Sequence, residues 1–273
     1  MSLFDAFSYR GKRVLVVGGA TGMGNATARL ALDAGADVVV MDYAPCELAG
    51  VTAIPVNLAD KDSIDAAVEQ CGGSVDALFA CAGVADGPGI DRINFVGHRH
   101  LIERLRAEAM LARGSAIGFI SSAAGLAWRS NFAQVSEFLD IADFDAAAAW
   151  AVENGCAHYM FTKQAVCAYV AREAMALMAD GIRINAICPG PTDTPLAQAN
   201  AELWLDFGAD YRESVGVAAA TPMEQAYPLL FLCSDAAKVV TGITMVTDSG
   251  YLSAGITGVF PAGTPMAKML LDG

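Results

Sequence analysis

Tyr159 and Lys163 stand four residues apart in Tyr-Met-Phe-Thr-Lys. On a helix that spacing puts both side chains on one face. A lysine ammonium one turn from a phenol stabilises the phenolate. It draws a group of ordinary pKa about 10 toward the range where protons exchange near neutrality. Ser122 closes the apolar run Ala116–Ile120 with its neighbour Ser121. At the carboxyl end of a parallel strand, a hydroxyl lies where open α/β sheets place their ligands. Ser121 competes for that position.

A second constellation is Gly18-Gly-Ala-Thr21-Gly22-Met23-Gly24, directly after the apolar run Arg13–Val17. Gly18 permits a tight turn, Gly22 lets the backbone approach a pyrophosphate, and Gly24 lets the next helix pack on its strand. The start of that helix offers free N–H groups and the positive end of its dipole to phosphates. Asp42 ends the next apolar run, where a carboxylate accepts from adenosine ribose hydroxyls and repels a 2′-phosphate. Tyr43 follows it, and no Arg or Lys lies between Gly18 and Gly24. The expected cofactor is therefore NAD rather than NADP.

These groups need strands that end at one edge and helices that begin there. Apolar runs at Arg13–Val17, Asp37–Met41, Thr52–Val56, Asp76–Ala80, Ala116–Ile120, Ile182–Ile187 and Ile243–Val246 read as seven strands. Helical stretches separate them: Met23 to Ala34, Lys61 to Gln70, Ile90 to Leu111, Ala146 to Val152, and a long one carrying Tyr159 and Lys163 to Ala179. Pro222 suits the first turn of a further helix, which Pro228 should bend. Continuously apolar strands alternating with helices predict an α/β fold, a doubly wound parallel sheet of the Rossmann type with helices on both faces. No linker or repeat divides residues 1–273, so one domain is expected. The segment 195–216 reads as a covering element, and an apolar, glycine-rich tail begins near residue 252.

Composition excludes several classes. Hydrophobic residues make up 55% of the 273, charged residues 17%, and the net charge is −13. So acidic a chain repels nucleic-acid backbones and anionic membranes. No run of 18 uninterrupted apolar residues suggests membrane insertion, and no signal-like segment opens the chain. Seven cysteines are scattered without a C-x-x-C pair. They read as free thiols of a cytoplasmic protein rather than as a disulfide frame or metal site.

The glycine spacing, Tyr159–Lys163 and Ser122 resemble the short-chain dehydrogenase/reductase family, over about residues 10 to 250. Asn57-Leu58 stands where that family usually has Asp-Val beside the adenine. Cys81-Ala82-Gly83 resembles its Asn-Ala-Gly turn. Pro189-Gly190-Pro-Thr192-Asp-Thr194 resembles the loop that lines nicotinamide and phosphates. The resemblance implies a catalytic set of Ser122, Tyr159 and Lys163, with Asn94 as a fourth member that helps hold a relay water. In it Ser122 holds the substrate oxygen and Tyr159 moves the proton. Lys163 lowers the tyrosine's pKa and bonds the nicotinamide ribose. Ser122 and Tyr159 are 37 residues apart, far more than is usual. The bacterial 3α-hydroxysteroid dehydrogenase/carbonyl reductase branch has a comparable insertion, here about 127–156.

The expected activity is NAD-dependent interconversion of a secondary alcohol and a ketone, on a bulky lipophilic ring compound such as a hydroxysteroid. Phe132, Phe138, Trp204 and Phe207 are the expected pocket aromatics. A monocyclic or aryl alcohol is the alternative substrate, and a non-catalytic NAD-binding regulator the alternative class. The family resemblance also implies a homo-oligomer, a dimer or tetramer.

Overall fold

The apolar runs assemble into one seven-stranded sheet in the computed structural model, which describes residues 2–272. Met1 and Gly273, the ends of the expected domain, lie outside the described residues. The strands are β1 (Arg13–Val17), β2 (Asp37–Asp42), β3 (Val51–Pro55), β4 (Ala77–Ala80), β5 (Ala116–Ile120), β6 (Arg183–Pro189) and β7 (Thr244–Thr247). Every neighbouring pair is parallel, in the order β3-β2-β1-β4-β5-β6-β7. Since β1 lies between β2 and β4, the chain leaves it in one direction and later returns on its other side. That reversal opens a crevice at the carboxyl ends of β1 and β4.

The sheet is parallel because both its faces are covered. Every residue of β4, β5 and β6 is buried, so no solvated face calls for polar alternation. One face packs on the helices Lys61–Cys71, Gly97–Ala107 and Tyr159–Ala179, around Leu15, Leu78, Ile117 and Ile184. The other packs on Gly22–Asp33 and Pro222–Cys233, around Val16, Val40 and Phe79. Local chemistry sets the helix ends. The Asp60 carboxylate accepts from the Asp62 and Ser63 N–H groups. Thr221 and Glu224 cap each other's backbone around Pro222 at the start of its helix. Gly35 ends the first long helix at φ +94°.

Three expectations need correction. The helix expected from Ile90 to Leu111 begins instead as a π turn, Arg92–Val96, and becomes α-helical only over Gly97–Ala107. A Cβ at Gly97 would meet the Leu58 carbonyl at 2.3 Å, so the chain presses there against the loop after β3. The segment 127–156 carries two helices, Phe132–Asp140 and Phe144–Glu153, of which only the second was expected. Val135, Phe138 and Leu139 give the first its buried face. Phe138 therefore fills the core, within 5.7 Å (ring centre to ring centre) of Phe95, Trp150 and Phe161, and does not wall a pocket. Phe132 leans on Trp128 and is largely open to solvent.

The segment 195–216 folds as three short helices, Pro195–Gln198, Ala201–Trp204 and Ala209–Val215. The tail adds helices Tyr251–Thr257 and Thr264–Asp272. Among the described residues no helix is long and apolar enough to cross a membrane.

Candidate active site

The crevice beside β1 opens into a cavity of about 540 Å³. Its floor is the glycine turn: Gly18, Thr21, Gly22, Met23 and Gly24 all line it. Thr21, the residue before the helix, gives no side-chain cap, and Asn25 is the first residue whose N–H bonds back, to the Thr21 carbonyl. The first-turn amides are thus left for an anion. Asp42 and Tyr43 form one wall, Asn57 and Leu58 another, and Cys81, Ala82 and Gly83 a third. Among the described residues, no Lys or Arg lines this cavity. A dinucleotide fits this donor set, with its pyrophosphate on the glycine turn and its ribose at Asp42.

Several of these residues also hold the turn. Asp42 accepts from Ala20 N–H at 2.8 Å and from Ala44 N–H at 2.9 Å, a role its position at a strand end did not reveal. The Asn57 side-chain oxygen accepts from Ala59 N–H, which leaves the amide hydrogens for a ligand. Burial pushes the Cys81 thiol well up, so it remains a thiol.

A second cavity of about 430 Å³ shares Met23, Cys81, Gly83, Thr194 and Leu196 with the first. Ser122, Tyr159 and Lys163 lie in its wall with Pro189, Gly190 and Thr192. The long helix starts at Tyr159, so Tyr159 and Lys163 share its first turns. Ser121 turns inward, donating to the Lys163 carbonyl at 3.0 Å and touching the Cys167 sulfur. The Ser122 oxygen instead accepts from Ala124 N–H at 3.2 Å, and Ser122 lies near the Tyr159 phenol in the cavity wall. Both serines line the cavity, and of the two it is Ser121 whose hydroxyl is given to a backbone carbonyl. Gly125 permits this packing, since a Cβ there would meet the Lys163 carbonyl at 2.5 Å.

Lys163 donates to the Ile120 carbonyl at 3.0 Å, and its Nζ lies 5.5 Å from the centre of the Tyr159 ring. Burial lowers its pKa to about 8. Burial raises the Tyr159 phenol to about 12, against a smaller lowering effect of the nearby Ser122 hydroxyl. The expectation that Lys163 brings the phenol toward neutrality is therefore not met by the protein alone. Both groups lose water, and the ammonium is aimed at a carbonyl rather than at the phenol.

Asn94 sits in the π turn, fully buried. Its side-chain oxygen accepts from Val84 N–H at 2.8 Å, and its amide donates to the Val84 carbonyl and the Thr162 hydroxyl. It clamps the turn after β4 to the Tyr159 helix. A Cβ at Gly83 would lie 3.3 Å from the Asn94 oxygen and 3.5 Å from Lys163 Nζ, so glycine keeps that space open. Of the four expected pocket aromatics, Trp204 and Phe207 line the second cavity, and Trp204 lies against Tyr159 at 4.9 Å between ring centres. The 127–156 segment lines neither cavity, whereas the tail contributes Met266, Met269 and Leu270.

Sequence reasoning missed His98. Its Nε2 lies 3.0 Å from the Ala82 carbonyl, which can only accept, so Nε2 carries the hydrogen. His98 thereby holds the Cys81–Gly83 turn. Its only sequence signal was its place four residues after Asn94, on the same side of the helical stretch. Burial lowers its pKa to about 4. Because the folded value lies below the unfolded one, its contribution is present above about pH 6.5 and is lost as pH falls toward 4. Urea unfolding across that window should show wild type losing roughly 3 kcal/mol more than His98→Leu. Parallel pH profiles would remove this assignment.

The chain belongs to the short-chain dehydrogenase/reductase family: residues 18–252 match the family model described as enoyl-(acyl carrier protein) reductase. It is an oxidoreductase of the alcohol dehydrogenase/reductase type, and the family binds a nicotinamide cofactor. It is 33% identical to cis-4-hydroxycyclohexanecarboxylate dehydrogenase of Sinomonas cyclohexanicum, over 90% of this chain and 98% of that one. It is 27% identical to coniferyl-alcohol dehydrogenase of a Pseudomonas strain, over 89% and 97%. It is 30% identical to 3-alpha-hydroxysteroid dehydrogenase/carbonyl reductase of Comamonas testosteroni, over 87% and 95%. The fold superposes on the 3-alpha-hydroxysteroid dehydrogenase of Pseudomonas sp. B-0831, solved with NADH, with a TM-score of 0.72 at 23% identity, covering 91% and 99% of the two chains.

Proposed function

We propose that this chain is an NAD(H)-dependent dehydrogenase/reductase that interconverts a secondary alcohol and a ketone on a lipophilic ring compound of hydroxysteroid type. The observation that carries this reading is one junction: the Tyr159 and Ser122 hydroxyls, close together in the wall of an apolar cavity that adjoins the glycine-turn cavity. The nicotinamide supplies hydride transfer. The protein's part is to hold the oxygen and move its proton. Ser122 fixes the substrate oxygen, and Tyr159 gives a proton to it in reduction or takes one from it in oxidation. The phenol raised to about 12 is protonated at neutral pH, which equips the site as a donor for ketone reduction. Oxidation needs added positive charge beside the phenol, from Lys163 or the oxidised ring.

Initial rates with hydroxysteroids, cyclic alcohols and aryl alcohols test the substrate. Activity on short hydroxyacyl thioesters alone would dismiss the ring-alcohol reading. Smaller rings are the second reading, favoured by the 33% identity to the hydroxycyclohexanecarboxylate enzyme. The cofactor assignment rests on Asp42 and on a wall without cations. NAD should be preferred over NADP by about 100-fold in kcat/KM, because a 2′-phosphate would face an uncompensated carboxylate. Equal efficiency with both would reject it. The proposed dimer or tetramer is checked by sedimentation of the full-length chain.

A further inference from the structure

Among the described side chains around the second cavity, Lys163 alone carries charge. That cation is committed to the Ile120 carbonyl and lies beside the tyrosine ring. The two threonines of the wall are neutral, and Thr192 is committed. Thr192 donates its hydroxyl to the Gly190 carbonyl, and the Thr194 oxygen accepts from Ala197 N–H. Two hydroxyls, those of Ser122 and Tyr159, are placed for one substrate oxygen. The rest of the wall is apolar and pliable: Met160, Met266, Met269, Trp204 and Phe207. Thioethers adapt to varied ring shapes but cannot compensate an anion. The chain's net charge of −13 adds a repulsive field at longer range.

We infer that this site takes uncharged ring alcohols and ketones and excludes those bearing a carboxylate or phosphate within the cavity. This deepens, and rests on, the reading of the chain as an alcohol dehydrogenase. A carboxylate brought into this wall would lose its water and find neutral hydroxyls but no free cation, a cost that uncharged rings escape. The relative named for cis-4-hydroxycyclohexanecarboxylate marks the contrast, since that compound carries the anion this wall does not accommodate.

The test compares cis-4-hydroxycyclohexanecarboxylate with its methyl ester, following NADH formation by the full-length protein. The ester should exceed the acid by about 100-fold in kcat/KM. Equal or better turnover of the acid would overturn the charge exclusion and leave the dehydrogenase reading intact. Turnover of neither compound nor of any hydroxysteroid would remove both. A second measurement uses Met269→Arg, which places a cation at the half-exposed edge of the wall. The acid-to-ester ratio should rise about tenfold in that variant. An unchanged ratio in the folded variant would mean that charge is not what this wall discriminates.

Discussion

Tyr159→Phe is expected to lower kcat by about 10²–10⁴-fold while NADH binding is retained. The substitution removes one oxygen and keeps the ring, so the 4.9 Å contact with Trp204 and the start of the helix survive. What disappears is the proton donor beside Ser122. No other ionisable hydroxyl lines the second cavity, and the buried Lys163 is turned to the Ile120 carbonyl. Cofactor titration by fluorescence, run beside the rate assay, separates lost chemistry from lost binding. Substantial turnover in the variant would show that the proton travels by another route.

The second large effect divides the glycines of the turn by what each one faces. Gly24→Ala would put a Cβ 1.9 Å from the Gly18 carbonyl oxygen, backbone that cannot yield locally. Overpacking of that kind costs about 3 kcal/mol or more, a fall of about 10 °C in melting temperature for a chain of this size. Gly22→Ala meets nothing nearer than a Thr194 methyl at 3.6 Å. Its φ of +58° adds only about 1–2 kcal/mol of strain. That new methyl would, however, stand at the turn where the backbone must approach a pyrophosphate. Gly22→Ala should therefore stay folded and lose NADH affinity, while Gly24→Ala loses both. Thermal melts with and without NADH distinguish the two. Equal destabilisation by both would mean that Gly22, too, serves packing rather than ligand approach.

Much of this was legible in the chain before any coordinates. Val, Ile and Ala runs buried on both faces leave no polar alternation, so β1, β5 and the others could be placed to within a residue or two. Short-range spacing carried the rest: glycine at 18 and 24 where backbones nearly touch and at 22 where φ is positive, Asp42 at a strand end, Tyr159 and Lys163 one helical turn apart. Local sterics and periodicity decide such features, and both are properties of consecutive residues.

Other features depend on which distant segments meet. Phe138 reads as a pocket aromatic until Phe95, Trp150 and Phe161 close around it. Ser121 and Ser122 differ only once the Tyr159 helix lies across them. His98 gains its role from the Ala82 carbonyl, 16 residues away, and the tail's methionines gain theirs by folding back over the second cavity. The phenol's acidity belongs to the same class. Sequence spacing places an ammonium beside it, but tertiary burial strips water from both groups and drives the Tyr159 pKa up instead. Spacing along the chain determined the scaffold and the roster of reacting groups. Desolvation and long-range packing, which no local window contains, decided which serine turns inward to the Lys163 carbonyl, what walls the pocket and where the proton rests.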